Sequence, residues 1–154
     1  MAPPDEGPGP VRALGHVVLR VRDLGRSLRF YRDALGLREV VRHEGRMAFL
    51  SAGEKHHDLA LLEVGDGAAA APANAVGLHH LAFKVGDSLA DLRAARGALE
   101  AAGFSITKAA DHTVSQALYV QDPDGTVVEL YVDADPRIWR GDPAAVATAF
   151  PLHL

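Results

Sequence analysis

Two histidines hold matching places in this chain. One stands in Gly15-His16-Val17-Val18-Leu19-Arg20-Val21-Arg22-Asp23, the other in His79-His80-Leu81-Ala82-Phe83-Lys84-Val85-Gly86-Asp87. Each run reads as a strand that starts on a histidine, ends on an aspartate and leads into helical periodicity. Two copies of one supersecondary unit can bring two imidazoles together across a pseudo-symmetry axis, an arrangement that suits a metal ion. Glu129 supplies the third group. It lies in Val127-Val128-Glu129-Leu130-Tyr131-Val132, a segment so apolar that a carboxylate there is costly without a cation. Two neutral imidazoles and one carboxylate form a facial ligand set for a divalent metal and leave up to three adjacent positions open. Such a set, with no thiolate, suits iron(II) or manganese(II) and would also accept nickel, cobalt or zinc. Glu63 competes as a fourth ligand. A lone strand histidine is more often a rim residue than a ligand, so the metal expectation rests on the repeat-equivalence of His16 and His80 together with Glu129.

The elements that must position these groups can be read from the same 154 residues. The length fits one domain or two small fused modules, and 48% hydrophobic content is enough for a core. A formal net charge of −4 argues against a nucleic-acid binder. The absence of cysteine excludes disulfides, thiolate ligands and cysteine nucleophiles. No apolar run is long enough to span a membrane. Met1 to Pro10 carries prolines and no hydrophobic segment, so residues 1–11 are expected to be a disordered leader rather than a secretory signal. A soluble cytoplasmic protein is the default expectation.

Leu14 to Val21 alternates like a strand. Asp23 then caps a helix with Leu24, Leu28, Tyr31 and Leu35 at helical spacing, which Gly36 stops. Leu37 to His43, Met47 to Ser51 and His57 to Val64 are expected as three more strands, with a turn at Gly45. An Ala/Gly/Pro-rich linker follows, residues 66–76. The second module repeats the order: a strand over Leu78 to Val85, and a helix capped by Asp87 or Ser88 that carries Leu89, Leu92, Ala95 and Leu99. Strands over Phe104 to Ala109, Gln116 to Gln121 and Thr126 to Val132 complete it. Asp122-Pro123-Asp124-Gly125 is a strong turn signal between the last two. The boundaries expected are residues 12–65 and 77–133 for the two modules. Residues 134–154 form a tail in which Ile138, Trp139 and Phe150 are candidate anchors. The fold class is α+β, two paired βαβββ modules whose curved mixed sheets make a cup.

Alternation decides which side chains face the cup. His16, Val18 and Arg20 share one face of the first strand, and Val17, Leu19 and Val21 the helix face. His80, Ala82 and Lys84 share the polar face of the fifth strand, with His79 pointing the other way and read as structural. Val127, Glu129 and Tyr131 oppose Val128, Leu130 and Val132. On the fourth strand His57 and Glu63 fall on one face.

These modules, with His16, His80 and Glu129, resemble the vicinal oxygen chelate superfamily over roughly residues 12 to 135. That group includes glyoxalase I, methylmalonyl-CoA epimerase, the fosfomycin- and bleomycin-resistance proteins and the type I extradiol dioxygenases. Within it the chain is most similar to the catechol 2,3-dioxygenase-like branch. Lys55-His56-His57-Asp58-Leu59-Ala60-Leu61 resembles the strand with that branch's acid/base histidine, implying His57, with His56 as the alternative. Asp111 to Tyr119 resembles a segment common in such proteins, and implies roles for His112 and Tyr119 in hydrogen bonding near the reacting oxygens. Asp122-Pro123-Asp124-Gly125 through Tyr131 resembles the turn and strand with the carboxylate ligand. Many such dioxygenases carry two double modules, whereas this chain shows one.

The resemblance implies a metal-dependent extradiol ring-cleaving dioxygenase, with catalytic His57, His112 and Tyr119 and the metal on His16, His80 and Glu129. Its partners would be a catechol-type aromatic and dioxygen, and a homodimer is expected. Two other readings stay open: a glyoxalase-, epimerase- or fosfomycin-resistance-like metalloenzyme, with Glu63 in the site favouring its proton-transfer forms and Arg20 and Lys84 the candidate cations for epoxide opening, and a metal-free binding protein of the bleomycin-resistance kind.

Overall fold

Branched residues and period-two alternation yield short strands, and each helix begins where a side-chain oxygen can accept the first free backbone N–H. In the computed structural model, which describes residues 9–154, the order strand, helix, strand, strand, strand occurs twice. The leader expectation falls mostly on residues 1–8, outside the described residues. Two compact units emerge, one over Leu14–Leu78 with the turn Asp122–Thr126, the other over His79–Gln121 and Val127–Leu154 together with residues 9–13.

In the first unit β1 (Val17–Val21), β2 (Arg38–His43), β3 (Met47–Ser51) and β4 (Leu59–Glu63) form a sheet of order β1-β4-β3-β2. β1 and β4 run parallel, and the remaining pairs are antiparallel. Asp23 Oδ1 accepts from Arg26 N at 2.6 Å and starts α1 (Leu24–Leu28), which continues as a π-helical stretch over Arg29–Ala34. The wider turn lets the successive residues Phe30 and Tyr31 both be fully buried. Gly36, at φ +80°, ends the helix in a conformation that glycine adopts without strain. Leu19 and Val21 are buried while Val18 is 46% exposed, so the faces of β1 alternate as the sequence implies.

The second unit repeats the plan. β5 (His80–Gly86), β6 (Ile106–Asp111), β7 (Ser115–Gln121) and β8 (Val127–Asp133) give the order β5-β8-β7-β6, with β5 and β8 parallel. Ser88 caps α2 (Leu89–Ala101) in a reciprocal box with Asp91. The Asp91 side chain crosses so close to Gly86 that a Cβ there would meet it at 2.4 Å. Val128, Leu130 and Val132 are buried with Leu92 and Leu99 of α2. The tail read after Asp133 contains α3 (Arg137–Gly141), a 3-10 turn over Pro143–Ala147, and β9 (Phe150–Pro151), which adds to the free side of β6. Phe150 joins the sheet by its backbone while its ring stays 58% exposed. No helix among the described residues is long and apolar enough to cross a membrane.

The turn leading into β8 is held by buried polar contacts. Asp122 Oδ1 accepts from the backbone N–H groups of Asp124 (2.9 Å) and Thr126 (2.8 Å), and the Tyr31 hydroxyl donates to Asp122 Oδ2 at 2.8 Å. Arg22 Nη1 donates to Asp124 Oδ1 at 3.2 Å. Burial raises the Asp122 carboxyl against the hydrogen bonds that favour its anion. The folded state therefore holds this proton more tightly than the unfolded chain. The associated stability is complete below the ordinary aspartate pKa and is lost as pH rises through the raised value. Asp122→Asn keeps the hydrogen-bonding shape, and chemical denaturation from about pH 4 upward should show wild type losing stability relative to this variant. Tyr31→Phe leaves Oδ2 without its donor and should cost about 1–3 kcal/mol at pH 7.

Candidate functional site

Parallel pairing of β4 on β1 brings the residues just before both strands side by side. Val17 N donates to Asp58 O at 3.1 Å, and Val17 lies opposite Leu59. His16 and His57 therefore meet, with ring centroids 4.2 Å apart. Phe49 of β3 meets the His57 ring edge-on at 5.2 Å. His57 sits ahead of the strand rather than in it, so alternation from Glu63 does not govern its direction. His56 packs on its far side, with the Nδ1 atoms 2.6 Å apart. Desolvation, then the neighbouring His16 and His56, lower the His57 pKa, so its ring stays neutral near pH 7.

In the second unit the parallel pair β5/β8 sets Ala82 opposite Glu129 and His80 opposite Val127. His80 and Glu129 thus share a face two positions apart along the strand. His80 Nε2 lies 3.0 Å from Glu129 Oε2, and Glu129 is only 9% exposed. β7 sets Tyr119 directly opposite Glu129. Burial first, then the charge of Glu129 and a hydrogen bond to it, push the Tyr119 pKa up to about 12, so the phenol keeps its proton. His112 Nε2 lies 2.7 Å from Tyr119 Oη. His80, Glu129, Tyr119 and His112 form one connected row. His79 also touches this row, its Nδ1 2.7 Å from that of His80. The sequence reading turned His79 away from His80, but β5 begins only at His80, so strand alternation does not yet apply to the residue before it.

Glu63 is placed elsewhere. Its Oε2 accepts from Leu24 N at 2.8 Å and so caps α1 on the helix side of the sheet. Aligning β1/β4 with β5/β8 shows why. Val18 pairs with Ala60 where Ala82 pairs with Glu129. The first-unit counterpart of Glu129 is therefore the buried Ala60. Glu63 lies an odd number of residues further on, on the opposite face.

The donor chemistry fits a divalent cation. His80 Nε2 and Oε2 of the buried Glu129, 3.0 Å apart, are a nitrogen and an oxygen donor of the kinds such ions take. Among the described residues, no group of three or more His, Asp or Glu side chains stands together as a ready-made metal set. His16, with His56 and His57, belongs to the other unit.

Residues 13–130 match the sequence profile of the glyoxalase/bleomycin resistance protein/dioxygenase superfamily. The chain belongs to this superfamily. Over 130 residues it is 37% identical to the catechol-2,3-dioxygenase of Bacillus subtilis (strain 168), covering 84% of this chain and 44% of that protein. The chain thus spans less than half the length of that relative. It is 31% identical over 142 residues to the lactoylglutathione lyase of Haemophilus influenzae, covering 82% of this chain and 97% of that one. A glyoxalase/dioxygenase crystal structure from Nostoc punctiforme superposes with a TM-score of 0.70 at 23% identity, over 84% of this chain and 97% of that one, and so speaks to fold. The two βαβββ modules are those of the vicinal oxygen chelate fold to which such superfamily members conform.

The placement of Glu63 gives a direct check. Glu63→Ala removes an acceptor from the start of α1 and should lower stability by about 1 kcal/mol in denaturant titration. Divalent-metal affinity measured on the same variant should stay at the wild-type value.

Proposed function

We propose that this superfamily member is a metal-dependent extradiol dioxygenase acting on a catechol-type aromatic. The observation that carries the reading is the row His80–Glu129–Tyr119–His112 on one sheet face, supported by 37% identity to a protein named catechol-2,3-dioxygenase. His16, His80 and Glu129 would hold the ion, with iron(II) first and manganese(II) second among the metals this nitrogen and oxygen set suits. The chemistry such an ion supplies is chelation of two vicinal substrate oxygens beside an open position for dioxygen.

The protein's own groups then do the following. The His57 ring, kept neutral by its surroundings, takes a proton from a catechol hydroxyl at Nε2, the nitrogen not turned to His56. It returns a proton later in the cycle. His57 serves better than His56 because it is the ring in contact with His16. Tyr119 stays protonated at neutral pH and orients a substrate hydroxyl by hydrogen bonding, with His112 behind it. Phe49 gives the His57 ring an apolar wall. The ring would open beside the two hydroxylated carbons, with both atoms of dioxygen entering the product.

Glu63 was the feature that would favour a proton-transfer enzyme of the glyoxalase kind, and it is engaged by α1. The dioxygenase reading is therefore preferred. Protein loaded anaerobically with iron(II) and mixed with catechols in air should take up one dioxygen per ring opened and give a yellow product. No uptake across a panel of catechols, with lyase activity on hemithioacetals instead, would contradict it. His57→Gln should slow turnover about 100- to 10,000-fold while iron content stays unchanged. Loss of iron would reassign His57 as a ligand.

A further inference from the structure

The segment after the second module reaches back to His112. The Thr148 carbonyl lies 2.9 Å from His112 Nδ1. A carbonyl only accepts, so Nδ1 carries a proton. In the neutral ring Nε2 is then bare, and at 2.7 Å from Tyr119 Oη the hydrogen between them must be the phenolic one. Tyr119 has a single proton and two neighbouring acceptors, His112 and Glu129. The tautomer of His112 decides which of them receives it.

Thr148 is itself tied down. Its Oγ1 lies 3.0 Å from His112 O, 2.8 Å from Ala145 O and 2.6 Å from Thr113 Oγ1. Thr113 is a β-branched residue at φ +69°, a conformation such residues rarely adopt. It is held there by Asp111 Oδ1, which accepts from Thr113 N at 2.7 Å, and by its contact with Thr148. Strain next to a candidate catalytic group, braced from a distant stretch of chain, fits a positioning device.

We propose that Thr148 is a positioning residue: its carbonyl fixes the Nδ1–H tautomer of His112, which draws the Tyr119 proton toward His112 and leaves the Glu129 carboxylate free of it. This rests on the dioxygenase reading for its catalytic meaning, but not for its geometry. The Tyr119 oxygen, its proton directed to His112, presents lone pairs to a substrate hydroxyl.

Long-range proton–nitrogen NMR on the full chain labelled with 15N-histidine, without added metal, reads the tautomer directly. His112→Gln assigns the signal by its disappearance. Wild type should show His112 with the proton on Nδ1 alone. Thr148→Val removes the hydroxyl contacts that seat the carbonyl and should give a mixture with the Nε2–H form. Thr148→Ser should restore the wild-type pattern. An Nε2–H tautomer in wild type would overturn the proposal, and so would a pure Nδ1–H form in a folded Thr148→Val protein. Should that variant fail to fold, the wild-type spectrum decides. In the iron-loaded enzyme Thr148→Val should lower kcat about tenfold, with KM for the catechol and iron content unchanged. A correct tautomer in a wild-type protein without ring-cleaving activity would defeat the dioxygenase reading while leaving the tautomer assignment in place.

Discussion

A carboxylate buried in a hydrophobic strand governs this structure. Glu129 lies between Val128 and Leu130, both nearly inaccessible to solvent, and is itself almost wholly buried. An isolated charge in such surroundings is unfavourable by several kcal/mol or more. Among the described residues its ion-pair partner is His80, an imidazole that carries charge only when protonated. A divalent cation held by the same two side chains, as proposed, would remove that imbalance. The neighbours follow from this need. Tyr119 lies opposite Glu129 as a phenol that stays neutral, and His112 stands behind it as an acceptor, so no second anion enters the row.

The repeat supplies the scaffold, and a side-chain difference supplies the chemistry. Both modules pair their first and last strands in parallel, and both place a histidine at the entry of the first strand. Where the second module has Glu129, the first has Ala60. The first module instead gathers His16, His56, His57 and Phe49, groups suited to proton transfer and packing. Its own acid, Glu63, serves the N-terminus of α1. One backbone plan thus carries a buried carboxylate in one unit and a cluster of imidazoles in the other.

Much of this was legible in the residues. Strand alternation placed Val18 and Glu129 on the open faces and Leu19, Val21, Val128 and Leu130 on the packed ones. The turn at Asp122 and the cap at Ser88 were readable because aspartate and serine there bond to nearby backbone. Periodicity failed at strand entries: His57 and His79 precede β4 and β5, where no alternation applies, and each packs against a neighbouring imidazole. It failed again after Asp133, where short elements leave no pattern. Thr148 could not have been found from sequence, because its part is played by a backbone carbonyl that every residue type carries. The only signal near it was the segment Asp111 to Tyr119, which marked the histidine but not what holds it.

Diffraction at the iron absorption edge, from crystals grown anaerobically with iron(II), would show which side chains hold the ion. One anomalous peak per chain is expected, within bonding distance of an imidazole nitrogen of His16, one of His80 and a carboxylate oxygen of Glu129. No peak at Glu129, or an ion bound by His80 and Glu129 with His16 remote from it, would contradict the account.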